Sequence, residues 1–234
     1  MAATGNSGIL GLSFPAEASI PDTSGTTLLE NLVSPLSEAD RYFAISLGRN
    51  QNSSSFTIGK VDSAFANSSA ELTYTSVYPA AKSVYDYWKM PIQAITVNST
   101  AFSLSPSRVR GAPSPIAVFD TGTTLVLGPS ADVDRLWQSV GGARKTDDGW
   151  QVRCDRAMVL GMVLGEGPSA QPYYIDPADL AWREGGRDGD WCMGGVQAND
   201  DVRVRPRNRR YTLACQAHND GPFSTGLLWR LASR

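Results

Sequence analysis

The sequence has 234 residues, of which 41% are hydrophobic and 19% charged, and its formal net charge is −2. That is enough apolar material for one large packed domain or two small ones, and too little excess charge to point to a nucleic-acid partner. No run approaches the ~18 consecutive apolar residues of a bilayer-spanning helix. The first residues, Met1 to Asn6, have neither the basic nor the apolar region of a signal peptide.

Taken in chain order, β signals dominate. Residues 27–33 follow a Ser/Thr cluster with apolar residues at helical spacing, which predicts a short helix. Residues 42–47 alternate and stop at Gly48, and residues 55–59 follow after a polar turn. Residues 71–77 alternate, and residues 90–97 run into Asn98-Ser99. Residues 116–119 form a continuous apolar run of the kind found in strands buried on both faces. A second helix is predicted from Ser130 to Trp137, with Ser130 as its N-cap and Gly141-Gly142 as its stop. Short strands separated by Gly, Pro, Asn and Ser indicate an all-β domain.

Composition changes near residue 200. Arg203, Arg205, Arg207, Arg209 and Arg210 crowd one short stretch, and the segment from there to Arg234 shows little alternation and no helical pattern. It is read as irregular. The five arginines are read either as a solvated charge run or as a basic tail for an acidic partner. Three Asn-x-Ser/Thr tripeptides, at Asn52, Asn67 and Asn98, are candidate glycosylation sites.

One histidine and three cysteines do not make a typical Cys/His zinc site. A Ser-His-Asp triad would have to draw on His218 in the atypical tail, and no phosphate-binding loop of the Gly-x-x-x-x-Gly-Lys-Ser/Thr kind is present. The positive signal is Asp120-Thr121-Gly122-Thr123-Thr124, directly after the buried strand. A carboxylate there sits where the chain turns. The glycine lets the backbone come close, and the hydroxyls of Thr121, Thr123 and Thr124 are available to hold the carboxylate or a substrate backbone. The plainer reading is an Asx-type turn, since Asp, Thr and Gly are ordinary turn residues.

The order of motifs decides between these readings. Gly8-Ile9-Leu10-Gly11-Leu12, the strands around Phe43 and Phe56, Tyr87-Trp88 with the strand after it, Ala117-Val118-Phe119-Asp120-Thr121-Gly122-Thr123-Thr124-Leu125, and Gly128-Pro129 with the following helix occur in the order seen in pepsin-like aspartic endopeptidases. The sequence resembles that family over residues 5–198. The resemblance implies an all-β, bilobal pepsin-like architecture with its first lobe mostly missing. Residues 1–35 would be the remnant of that lobe and the interlobe connection, residues 36–198 the second lobe, and residues 199–234 an Arg-rich tail. It further implies a disulfide between Cys154 and Cys192, while the connectivity of Cys215 stays open. The implied chemistry is peptide-bond hydrolysis at acidic pH by a water held between two aspartates. Asp120 would be one of them, with Gly122, Thr123 and Thr124 lining the cleft. No metal or cofactor is required. The implied partner is a protein or peptide substrate, and the implied destination is secreted or vacuolar.

The sequence departs from the family at both ends. It contains no second Asp-Thr/Ser-Gly; Asp22-Thr23-Ser24-Gly25 carries an extra serine and precedes a helix rather than ending a buried strand. After Ala198 the match stops, and Gly226-Leu227-Leu228-Trp229 does not replace the hydrophobic-hydrophobic-Gly-Asp segment the family places there. The strands around Asp120 are therefore expected to lack their partner. The ends are read as a late start methionine and a wrong splice or reading frame near residue 199, which would leave a fragment inactive alone. The alternatives are a non-catalytic peptide- or protein-binding lobe, and a homodimer that pairs two Asp120 residues as retroviral proteases pair theirs.

Overall fold

A computed structural model describes residues 8–18, 25–47, 54–63, 66–68, 72–107, 109, 111–200, 211–214 and 227–230. In chain order the elements are α1 (Leu28–Val33), β1 (Tyr42–Ser46), β2 (Ser55–Ile58), β3 (Lys89–Val97), β4 (Thr100–Phe102), β5 (Ile116–Asp120), β6 (Val126–Gly128), α2 (Ser130–Val140), β7 (Ala143–Thr146), β8 (Gly149–Arg153), β9 (Leu160–Leu164), β10 (Gln171–Ile175), α3 (Pro177–Leu180), β11 (Ala181–Asp188), β12 (Trp191–Gly194), β13 (Val196–Ala198), β14 (Tyr211–Ala214) and β15 (Leu227–Arg230). Strands therefore dominate, as the alternation implies. Among the described residues, no helix is long and apolar enough to cross a membrane.

Among the described residues the strands form three sheets. The largest runs β10-β9-β3-β5-β14-β6-β13, with β4 paired to β3. The second is β15-β1-β2, and the third β11-β12-β8-β7. Asn98 and Ser99, with φ of 48° and 68°, close the β3–β4 hairpin, since two successive left-handed residues match the twist of paired strands. The core lies between the sheets and α2. Phe43, Ile92, Leu136, Trp137, Val152, Leu160 and Leu180 are all buried in it. Gly194 admits Trp137 against it, because a Cβ at that position would stand 2.6 Å from the indole.

Local chemistry explains both longer predicted helices. Thr27 and Glu30 cap α1 reciprocally: the Glu30 N–H donates to Thr27 Oγ1, and the Thr27 N–H donates to Glu30 Oε2. Helix α2 buries Val133, Leu136, Trp137 and Val140 along one stripe and stops at Gly141, whose φ is 68°.

Four expectations need correction. Ser130 is the first residue of α2 rather than its cap. The cap comes from Asp200, whose carboxylate accepts from the Ser130 N–H at 3.3 Å and from its hydroxyl at 2.5 Å. Residues 72–77 form no strand despite their alternation, because among the described residues no neighbouring strand pairs with them. The tail is not irregular throughout, since β14 and β15 both come from it. The strands around Asp120 have not lost their partner either: β14 lies between β5 and β6.

Candidate active site

Strand β5 exists to bury apolar surface. Ile116, Ala117, Val118 and Phe119 are all buried, and its last residue, Asp120, is exposed. The chain turns immediately after it, and the turn is built around the carboxylate. The Gly122 N–H donates to Asp120 Oδ1 at 2.9 Å, and Thr123 Oγ1 donates to Asp120 Oδ2 at 2.6 Å. A Cβ at Gly122 would stand 3.2 Å from Asp120 Oδ1, so the glycine is what allows this close approach. Each oxygen accepts one hydrogen bond from its own loop, which fixes the carboxylate's orientation and leaves lone pairs directed elsewhere.

Asp120 opens on a cavity of about 550 Å³. Thr121, Gly122 and Thr123 line it beside the aspartate, with Phe43 and Ile45 of β1, Trp88, Leu127 and Asn199 completing much of the wall. Thr124 is exposed and is not part of that lining.

A further wall comes from the N-terminal segment, Ile9 to Ser13. It is pinned to the residues that lead into β3, the strand beside β5. Trp88 Nε1 donates to the Leu12 carbonyl at 2.7 Å, Ser13 Oγ donates to the Asp86 carbonyl at 2.6 Å, and the Phe14 N–H reaches the same carbonyl at 3.3 Å. The Phe14 ring lies 4.4 Å from that of Trp88, and Phe43 meets the same indole edge-on at 5.4 Å. Trp88 thus joins three separate parts of the chain around the cavity. Its carbonyl also accepts the Phe119 N–H at 2.9 Å, one residue before the aspartate.

Behind this wall lies a buried ion pair. Lys89, 1% exposed, meets Asp86, 9% exposed, at 2.5 Å. The other Asp86 interactions tie it to the same junction, because its Oδ1 accepts the Tyr87 N–H at 2.8 Å. Sequence reasoning missed this pair. The available signal was a lysine opening an otherwise uncharged strand, three residues after an aspartate. The wall residues Phe43, Ile45, Leu127 and Asn199 also escaped it, because they come together only through sheet pairing.

The remaining expected sites lie apart from the cavity. Cys154 and Cys192 form a disulfide that ties the residue after β8 to β12. Asn67 and Asn98 are exposed, and the Asn98 side-chain oxygen accepts the Val159 N–H at 3.0 Å. Asn52 and Cys215 lie outside the described residues.

Known proteins resemble the chain over most of its length. The family profile described as "Eukaryotic aspartyl protease" matches residues 1–205. Chymosin from Camelus dromedarius is 24% identical over 198 residues, covering 84% of this chain and 46% of that protein. Embryonic pepsinogen from Gallus gallus is 27% identical over 190 residues, covering 81% and 44%. Penicillopepsin-1 from Talaromyces stipitatus is 27% identical over 203 residues, covering 85% and 46%. The chain spans about half the length of the curated relatives it matches.

Proposed function

The chain belongs to the eukaryotic aspartyl protease family, and from that premise we propose that Asp120 is one of the two carboxylates of an aspartic endopeptidase acting on proteins and peptides at acidic pH. The observation that carries the reading is the pose of Asp120. Each oxygen is held by its own loop, and the exposed carboxylate opens on a cavity with apolar walls.

Two carboxylates a few ångströms apart do not both ionise, so the pair shares one proton. The ionised member takes a proton from a water bound between them. The water oxygen attacks the amide carbon while the protonated member donates to the carbonyl oxygen. The resulting diol collapses with cleavage of the C–N bond, and the amine leaves with a proton. Gly122 and Thr123 hold Asp120 in orientation for these transfers, and the loop 121–123 meets the substrate backbone at the cavity wall.

The sequence holds one Asp-Thr-Gly, so the second carboxylate comes from outside these residues. In a bilobal enzyme it is supplied by a first lobe, with residues 1–35 at its end and residues 36–198 forming the second lobe. In a homodimer it is Asp120 of a second copy. The Cys154–Cys192 disulfide supports passage through an oxidising compartment, hence a secreted or vacuolar protein, and Asn67 and Asn98 are exposed for glycosylation on that route.

The test is the concentration dependence of acid proteolysis by the purified chain on a denatured protein, at about pH 3–5. Activity that rises with the square of chain concentration identifies the homodimer. A silent chain that becomes active with a polypeptide bearing another Asp-Thr-Gly identifies half of a bilobal enzyme. Peptide binding without cleavage in every combination, unchanged by Asp120→Ala, would replace the reading with a non-catalytic binding lobe.

A further inference from the structure

Strands β5 and β6 are separated by only five residues of loop, 121–125, yet they are not neighbours in the sheet. Between them is a slot one strand wide, and β14 occupies it. It runs parallel to β5, with Tyr211 beside Ala117, Thr212 beside Val118, Leu213 beside Phe119 and Ala214 beside Asp120. It also touches β6, through Thr212 beside Leu127. We propose that β14 is an integral part of the candidate active site and positions Asp120 by completing the sheet between the two strands that carry its loop.

The physical need for such a strand is plain. Successive residues of a strand direct their N–H and C=O groups to opposite edges. Phe119 directs its N–H to the Trp88 carbonyl on the β3 side. Val118 and Asp120 therefore direct theirs to the other edge, where β14 lies. Because Ile116 to Phe119 are buried, an empty slot would strand those main-chain groups away from water, which folded proteins avoid. An unfilled slot would also free the Asp120 loop at both of its roots.

The sequence accounts for which residues fill the slot. The preceding stretch, with arginines at 203, 205, 207, 209 and 210, is too charged for the middle of a sheet. Tyr211-Thr212-Leu213-Ala214 follows it uncharged, and opens with two residue types favoured in strands. The same segment supplies β15, which pairs with β1 from Tyr42 beside Arg230 to Ile45 beside Leu227. Phe43 and Ile45 of β1 line the cavity. Strands β14 and β15 thus brace two walls of the site, one bearing the aspartate and one supplying Phe43 and Ile45.

That Asp120 is the carboxylate worth holding rests on the function proposed above; whether β14 holds it is read without any assay of activity. Amide exchange of the full chain is measured residue by residue. The Val118 and Asp120 amides should exchange at least about a thousandfold more slowly than in an unstructured peptide, as should the Phe119 amide, which donates to the Trp88 carbonyl. In parallel, cysteines placed at Val118 and Thr212, with Cys215→Ser, should join on mild oxidation within single polypeptides, as peptide mapping reads directly. Leu213→Pro should then shift the Gly122 amide resonance, which reports its bond to Asp120, while amides of β7 and β8 stay unmoved. Free exchange at Val118 and Asp120 beside a protected Phe119, or a cross-link that forms only between chains, would overturn the proposal. If Leu213→Pro does not fold, the exchange pattern and the cross-link still decide.

Discussion

Thr123 Oγ1 donates to Asp120 Oδ2 at 2.6 Å, and both residues belong to one tight loop at the end of a buried strand. The contact explains why a hydroxyl side chain stands three positions after the aspartate. Thr123→Val keeps the shape and removes the donor. Hydrogen bonds to charged groups contribute about 1.5–3 kcal/mol when sheltered. Asp120 is exposed, so solvent reduces that figure, and kcat/KM should fall roughly tenfold in the assembled enzyme. Thr123→Ser, which restores the hydroxyl, should recover most of the loss with the melting temperature unchanged.

The Lys89–Asp86 pair is buried on both sides. Removing one member of such a pair leaves the other charge without its counterpart, at a cost of about 3 kcal/mol. Lys89→Met should therefore lower the urea midpoint strongly. The double variant Asp86→Asn with Lys89→Met should be less destabilised than the sum of the two single variants. Strictly additive losses would show that the pair contributes nothing as a pair.

Gln197 acts as a short piece of backbone. Its side-chain oxygen accepts the Trp150 N–H at 2.8 Å, and its nitrogen donates to the carbonyls of Trp150 and Gly194, each at 2.8 Å. It thereby stitches β13 to β8 across the core. Gln197→Leu leaves three main-chain groups without that partner, and unfolding experiments should show a loss of about 3 kcal/mol. A loss below about 0.5 kcal/mol would mean that water or another group replaces the amide.

Burial raises the Tyr173 phenol above its ordinary value of 10.0. A phenol whose folded pKa is raised stays protonated in the folded chain after it would ionise in the unfolded one. The stability associated with its neutral form is therefore complete below about pH 10 and declines as pH rises through that value toward the folded pKa. The gap in urea midpoint between the wild type and Tyr173→Phe should shift against the wild type between about pH 9 and 11. Parallel pH profiles would remove Tyr173 as a contributor.

What the sequence made legible was mostly local. The Asp120 loop closes through contacts two and three residues away, and the α1 capping box spans three. Both are written in consecutive letters. The pairing of Cys154 with Cys192 came through family resemblance rather than through spacing. What stayed illegible depends on distant partners. Asp200 caps α2 from 70 residues away. Residues 72–77 alternate like a strand, but alternation does not create a neighbour to pair with. Four uncharged residues behind an arginine run carry too little pattern to announce a place in the middle of a sheet. Their role is fixed by the slot between β5 and β6, which exists only once the rest of the sheet has formed.

The central claim is that Asp120 does the chemistry, and the most direct measurement is acid proteolysis by the polypeptide as its source expresses it, wild type against Asp120→Asn. The substitution keeps the size and the acceptor for the Gly122 N–H while removing the ionisable group. The account predicts a fall in kcat/KM of at least about a thousandfold at pH 3–5, with the melting temperature held and peptide binding retained. Cleavage within a few-fold of wild type by a folded Asp120→Asn protein would contradict it.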